Sequence, residues 1–128
     1  MSRTDERRAA IFIGYQRDVT GTPIEDLVAR DMTPSTFTRE LVEGVEEVRD
    51  ELDELISEHA IGWQLNRIAP LERGILRVAL YEIVHRPDVP DEVAIDEAVE
   101  SAKLYCGADT PGFVNGILGG VLKRVRHA

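Results

Sequence analysis

The sequence has little of what most functional classes require. It holds a single cysteine, Cys106, in 128 residues. A lone thiol forms no internal disulfide and has no cysteine partner for a metal site, so a reducing cytoplasm is the expected setting. The three histidines, His59, His85 and His127, are scattered without the HExxH spacing of a zinc protease, and each reads as a structural or surface residue. There is no GxSxG elbow, and Gly119-Gly120 followed by Lys123 lacks the P-loop spacing and follows no strand. The expectation is a protein with no catalytic residues, no metal and no cofactor. Apolar runs are short as well. The longest, Ala9 to Ile13, is far below the roughly 20 residues a membrane helix needs, and no secretory leader is apparent. No alternating Val/Ile/Thr run lies between turn signals, which argues against strands.

Charge of one sign is plentiful. The formal net charge is −9, which argues against a generic nucleic-acid binder, but the acids are concentrated. From Glu43 to Glu58 there are eight acids against Arg49 alone, a local charge of −7 that leaves only −2 for the rest of the chain. Arg3, Arg7 and Arg8 lie near one terminus and Lys123, Arg124 and Arg126 near the other, so a local anionic ligand site remains open. The acids could hold a cation, but their helical spacing favours a solvated face.

Apolar periodicity predicts an all-α domain of about seven helices. The first helix runs roughly from Arg3 to Asp18 and ends at Thr20-Gly21, and Thr22-Pro23-Ile24-Glu25 is a capping box opening a short helix towards Arg30. Thr33-Pro34 repeats the start signal, and Phe37, Leu41, Val45, Val48, Leu52, Leu55 and Ile56 then recur at spacings of three and four, predicting one long amphipathic helix. After a break at Gly62-Trp63 and a short helical turn through Leu65 and Ile68, Pro70 opens the most apolar helix, expected to be central and buried. The Pro-rich "RPDVPDEV" leads to a stripe of Val93, Ala94, Ala98, Val99, Ala102 and Tyr105, closed by Gly107.

The last helix, "DTPGFVNGILGGVLKRV", starts with Asp109 and Thr110 as caps and Pro111 in the first turn. Each of Gly116, Gly119 and Gly120 forgoes roughly 1 kcal/mol of helix propensity relative to Ala. Close approach of another helix is the expected reason, with Asn115 bonding a neighbouring backbone end or loop. Phe113 lies in the first turn, where free N–H groups favour phosphate. An aromatic ring at such a position can support a base of single-stranded RNA, and core packing is the other reading.

The runs "GWQLNRIAPLERGILRVALYEI", "DVPDEVAIDEAVESAK" and "FVNGIL", with the N-terminal "RRAAIFIGYQ", resemble the NusB family of bacterial transcription antitermination factors, in order and with matching intervals over essentially the whole chain. The resemblance implies one domain, residues 1–128, of two small helical bundles packed together and without catalytic activity. It also implies a cytoplasmic factor that binds the boxA element of nascent RNA as a heterodimer with ribosomal protein NusE. Such a factor works with RNA polymerase and other Nus factors, promoting read-through especially on ribosomal RNA operons.

Carried over to this chain, the resemblance makes Arg3, Arg7, Arg8, Tyr15, Lys103 and Phe113 the RNA-binding candidates. Arg3 and Arg7 share a helix face, with Arg8 adjacent and Tyr15 two turns beyond it. Surface arginines, a half-buried tyrosine and a solvated lysine would read the same way. Asp5 and Glu6 interrupt the basic run, so NusE is expected to supply much of the positive surface. Glu72 and Arg73 are the candidates for the protein partner, and solvated charges early in a helix are the alternative. Tyr81 and Trp63 read as core anchors, and Arg77 as a buried charge paired with Glu82 or Glu97. Two other functions stay open: a protein-binding helical adaptor, and a relative of the RNA-binding domain of ribosomal RNA cytosine methyltransferases, whose catalytic domain this sequence lacks. Self-association to a homodimer also stays open.

Overall fold

The computed structural model describes residues 2–30 and 35–127, the last of them without its side chain. The Thr33-Pro34 start signal lies outside the described residues. Those residues form seven α-helices and one 3-10 turn, and no strand. The first helix, α1 (Arg3–Thr20), opens on a capping box in which Ser2 Oγ accepts the Asp5 N–H and the Asp5 carboxylate accepts the Ser2 N–H. It stops at Gly21, whose φ of 72° turns the chain left-handed and lets its N–H reach the Arg17 carbonyl. The short α2 (Ile24–Arg30) follows, with Ile24, Leu27 and Val28 buried.

The single long helix expected between Phe37 and Ile56 is two helices, α3 (Thr36–Glu47) and α4 (Arg49–His59). Val48, at φ −111° and ψ 22°, breaks them, although its N–H still reaches the Gly44 carbonyl. The bend serves packing: α3 lies on α1 and α5, whereas α4 lies on α5 and α7. One straight rod could not cover both sides. Gly44 sits at this bend because a Cβ there would overlap the Tyr81 ring.

A 3-10 turn (Leu65–Arg67) leads to α5 (Pro70–His85), whose Ile75, Leu76, Val78, Ala79, Leu80 and Ile83 are buried. This is the central helix, as its continuous apolar surface requires. Helices α6 (Asp91–Tyr105) and α7 (Thr110–His127) complete the fold. The two helical groups, α1–α3 and α4 with α6–α7, both pack on α5 and share one continuous apolar core.

Two charged groups cross that core. Arg7 is 6% exposed and donates Nε and Nη2 to the Glu82 carboxylate at 2.8 and 3.0 Å, joining α1 to α5. Asp18 receives Arg77 at 2.6 Å and Arg49 at 2.9 Å, and Arg77 also donates to Asp53 at 2.7 Å. Arg77 is therefore the expected buried charge, but its partners are Asp18 and Asp53, not Glu82 or Glu97. Burial opposes its charge; hydrogen bonds and attraction from Asp53, then Asp18, outweigh burial and raise its pKa.

Candidate nucleic-acid and partner interface

Helical spacing divides α1 into two sides. Ala10, Gly14 and Arg17 face α2 and α3. Arg8, Phe12, Tyr15 and Val19, at i, i+4, i+7 and i+11, lie on the opposite side. There, the Tyr105 ring of α6 meets Phe12 edge-on with centroids 4.9 Å apart, and the Arg8 guanidinium stands 6.0 Å from the Tyr105 centroid. Tyr105 is 38% exposed and Val19 55%. Arg8 Nε is buried without an acceptor among the described residues. The corner thus offers two aromatic rings and an arginine with an unpaired donor.

A second corner forms where α5 and α7 begin. Trp63, Ile68, Glu72, Asp109, Thr110 and Phe113 line an open cleft of about 240 Å³. Trp63 and Phe113 meet edge-on at 6.0 Å. The expected side-chain cap of α7 is not what Thr110 does: its hydroxyl donates across the cleft to Glu72 Oε1 at 2.9 Å. Burial, and then the Glu72 carboxylate, push the nearby Cys106 thiol above its ordinary pKa. The two corners flank the short connection from α6 to α7.

The NusB family model matches residues 4–123. The chain belongs to the NusB family. It is 43% identical to the transcription antitermination protein NusB of Symbiobacterium thermophilum, over all of this chain and 94% of that one. Among solved structures, T. maritima NusB superposes with a TM-score of 0.88 at 33% identity, covering 96% of this chain and 92% of that one. A crystal structure of the antitermination factors NusB and NusE in complex with dsRNA shares the fold, with a TM-score of 0.81 at 22% identity over 97% and 99% of the two chains.

In this NusB-family chain the fold scatters several residues that the sequence appeared to group. Arg7 is buried in a two-bonded pairing with Glu82. Arg3 does share its face, but that face is turned towards α3: Arg3 lies 4.0 Å over the Phe37 ring and pairs with Glu6, its side chain 62% exposed. Lys103 is exposed and pairs with Glu100 at 3.3 Å. Arg73 does not face outward as a partner contact would; its Nε lies 3.4 Å from Asp18, within the polar cluster under α1. Glu72 is half-buried and already engaged by Thr110.

The NusB-type C-terminal helix also departs from expectation. Only Gly120 accommodates a neighbour, since a Cβ there would lie 2.8 Å from His59 Cδ2, whereas Gly116 and Gly119 face open space. Asn115 is exposed rather than tied to a backbone end. Trp63, expected in the core, is 55% exposed. Sequence reasoning missed Tyr105, Trp63 and Asp109 as members of these corners. Tyr105 falls on an apolar stripe, and periodicity does not say where the stripe runs past the end of the core.

Proposed function

We propose that this NusB-family chain is a transcription antitermination factor that works by binding, as a single RNA-binding unit, and not by catalysis. It binds boxA-type RNA in the bacterial cytoplasm as a heterodimer with ribosomal protein NusE. In the antitermination complex with RNA polymerase and other Nus factors, it promotes read-through, especially on ribosomal RNA operons.

Beyond family membership, the observation that carries this reading is the exposed aromatic surface at the α6–α7 connection. Tyr105 and Trp63 stay partly in water although each neighbours another ring. Exposed aromatic area beside a helix N-terminus suits unstacked bases and their phosphates. The positive charge here is sparse, with Arg8 adjoining Tyr105 and the carboxylates of Glu72 and Asp109 in the neighbouring cleft. Counterion release then contributes little for this chain alone. A basic partner bound alongside supplies the missing attraction.

The test is a titration of labelled boxA RNA with the chain alone and with NusE. Weak binding alone and much tighter binding with NusE are expected. Absence of RNA binding in both, with NusE still bound, would favour the protein-binding adaptor, a reading to which the burial of Arg7 lends weight.

A further inference from the structure

On the side of α1 away from Tyr105, α2 and α3 border an open groove of about 570 Å³. Its floor is apolar: Ile24 and Val28 reach it from the core and Ala29 is exposed along it. Its rim is acidic. Glu25, Glu43 and Glu47 are exposed and have no ion-pair partner among the described residues, while Glu46 is held by Arg17 at 3.0 Å. Glu43 and Glu47, one turn apart on α3, repel each other and gain from any cation between them. Arg39 is the single basic residue in the lining among the described residues.

We propose that this groove docks a basic amphipathic segment of a partner protein. An apolar side chain of the segment would seat on Val28 and Ala29, and its lysines or arginines would meet Glu25, Glu43 and Glu47. The charge decides the class of occupant. RNA and anionic membrane surfaces are repelled from this rim. A second copy of the chain, with a formal net charge of −9, is repelled from this acidic rim as a whole. An apolar floor under a charged rim is also the form in which helices are recognised by grooves. Because the groove and the Arg8 side of α1 lie on opposite sides of that helix, both can be occupied at once. The inference does not depend on the RNA reading.

The probe is a fluorescein-labelled synthetic helix of about three turns, with leucines at i and i+4 flanked by lysines. The control has the same composition with the leucines on opposite faces. Anisotropy titrations would compare the wild type with Ala29→Trp, which fills the groove, with the double variant Glu43→Lys/Glu47→Lys, and with Glu54→Lys, an exposed acid outside it. The amphipathic peptide is expected to bind the wild type and Glu54→Lys alike, and both groove variants about tenfold or more weakly. Adding boxA RNA should not displace it. Circular dichroism checks each variant for folding, and the charge-reversal pair keeps the test decisive should Ala29→Trp misfold. Equal binding of both peptides, no loss in a folded groove variant, no binding at all, or displacement by RNA would each overturn the proposal.

Discussion

Arg7 and Glu82 stand 75 positions apart in the chain and form a two-bonded ion pair in which both side chains are almost wholly buried. The pair locks α1 to α5 and decides which arginines remain for ligand. Breaking a buried pair by removing one partner leaves the other charge uncompensated, at a cost of about 3–5 kcal/mol. Arg7→Ala is therefore expected to lower stability by that order in urea denaturation. RNA affinity measured on the folded fraction should change little. An unchanged denaturation midpoint together with a large loss of RNA affinity would return Arg7 to the ligand surface.

Tyr105 and Arg8 should separate by salt dependence. Tyr105→Ala removes a stacking platform, which typically costs about 1–3 kcal/mol of RNA affinity with the salt slope preserved. Arg8→Ala should lower the slope of log K against log salt by about one phosphate contact. Both residues are partly exposed, so melting temperatures should move little. A pair of variants that bind RNA like the wild type would remove this corner from the interface.

The glycines of α7 predict opposite signs. Gly116 and Gly119 face open space, so replacing either by Ala should stabilise the helix by roughly 1 kcal/mol. Gly120→Ala meets His59 and should destabilise. Thermal melts of the three variants check this. If Gly116→Ala melts higher yet binds RNA or NusE less well, the open strip is a surface against which a partner packs closely.

The Cys106 thiol, pushed up by burial and by Glu72, holds less thiolate at neutral pH than a free cysteine. Since the thiolate is the nucleophile, iodoacetamide should label it slowly, with the rate still rising at pH values where a free thiol has levelled off. Glu72→Gln removes the negative charge and should shift that profile to lower pH. Bound NusE or RNA covering the cleft should slow labelling further. A profile that coincides with a free thiol would contradict the placement of Cys106 beside Glu72.

Much of the fold was legible in one dimension. Helix spacing and the left-handed stop at Gly21 are local, and the apolar residues of α5, which cover more than one face, announced a central helix because each such face must be covered. The side-chain cap expected from Thr110 went instead to Glu72 on another helix. The tracts carrying the family resemblance are likewise local strings. What the tertiary structure alone decided concerns pairs distant in sequence. The bend at Val48 exists because α3 and α4 cover different neighbours. The partners of Arg77 are Asp18 and Asp53, and that of Arg7 is Glu82. Trp63 is exposed at the rim of a cleft built by two helix starts. An arginine reads the same in sequence whether it is solvated or buried, since its long apolar stem suits either site. Only the arrival of a carboxylate from another helix makes burial affordable, and that meeting is a property of the packed chain.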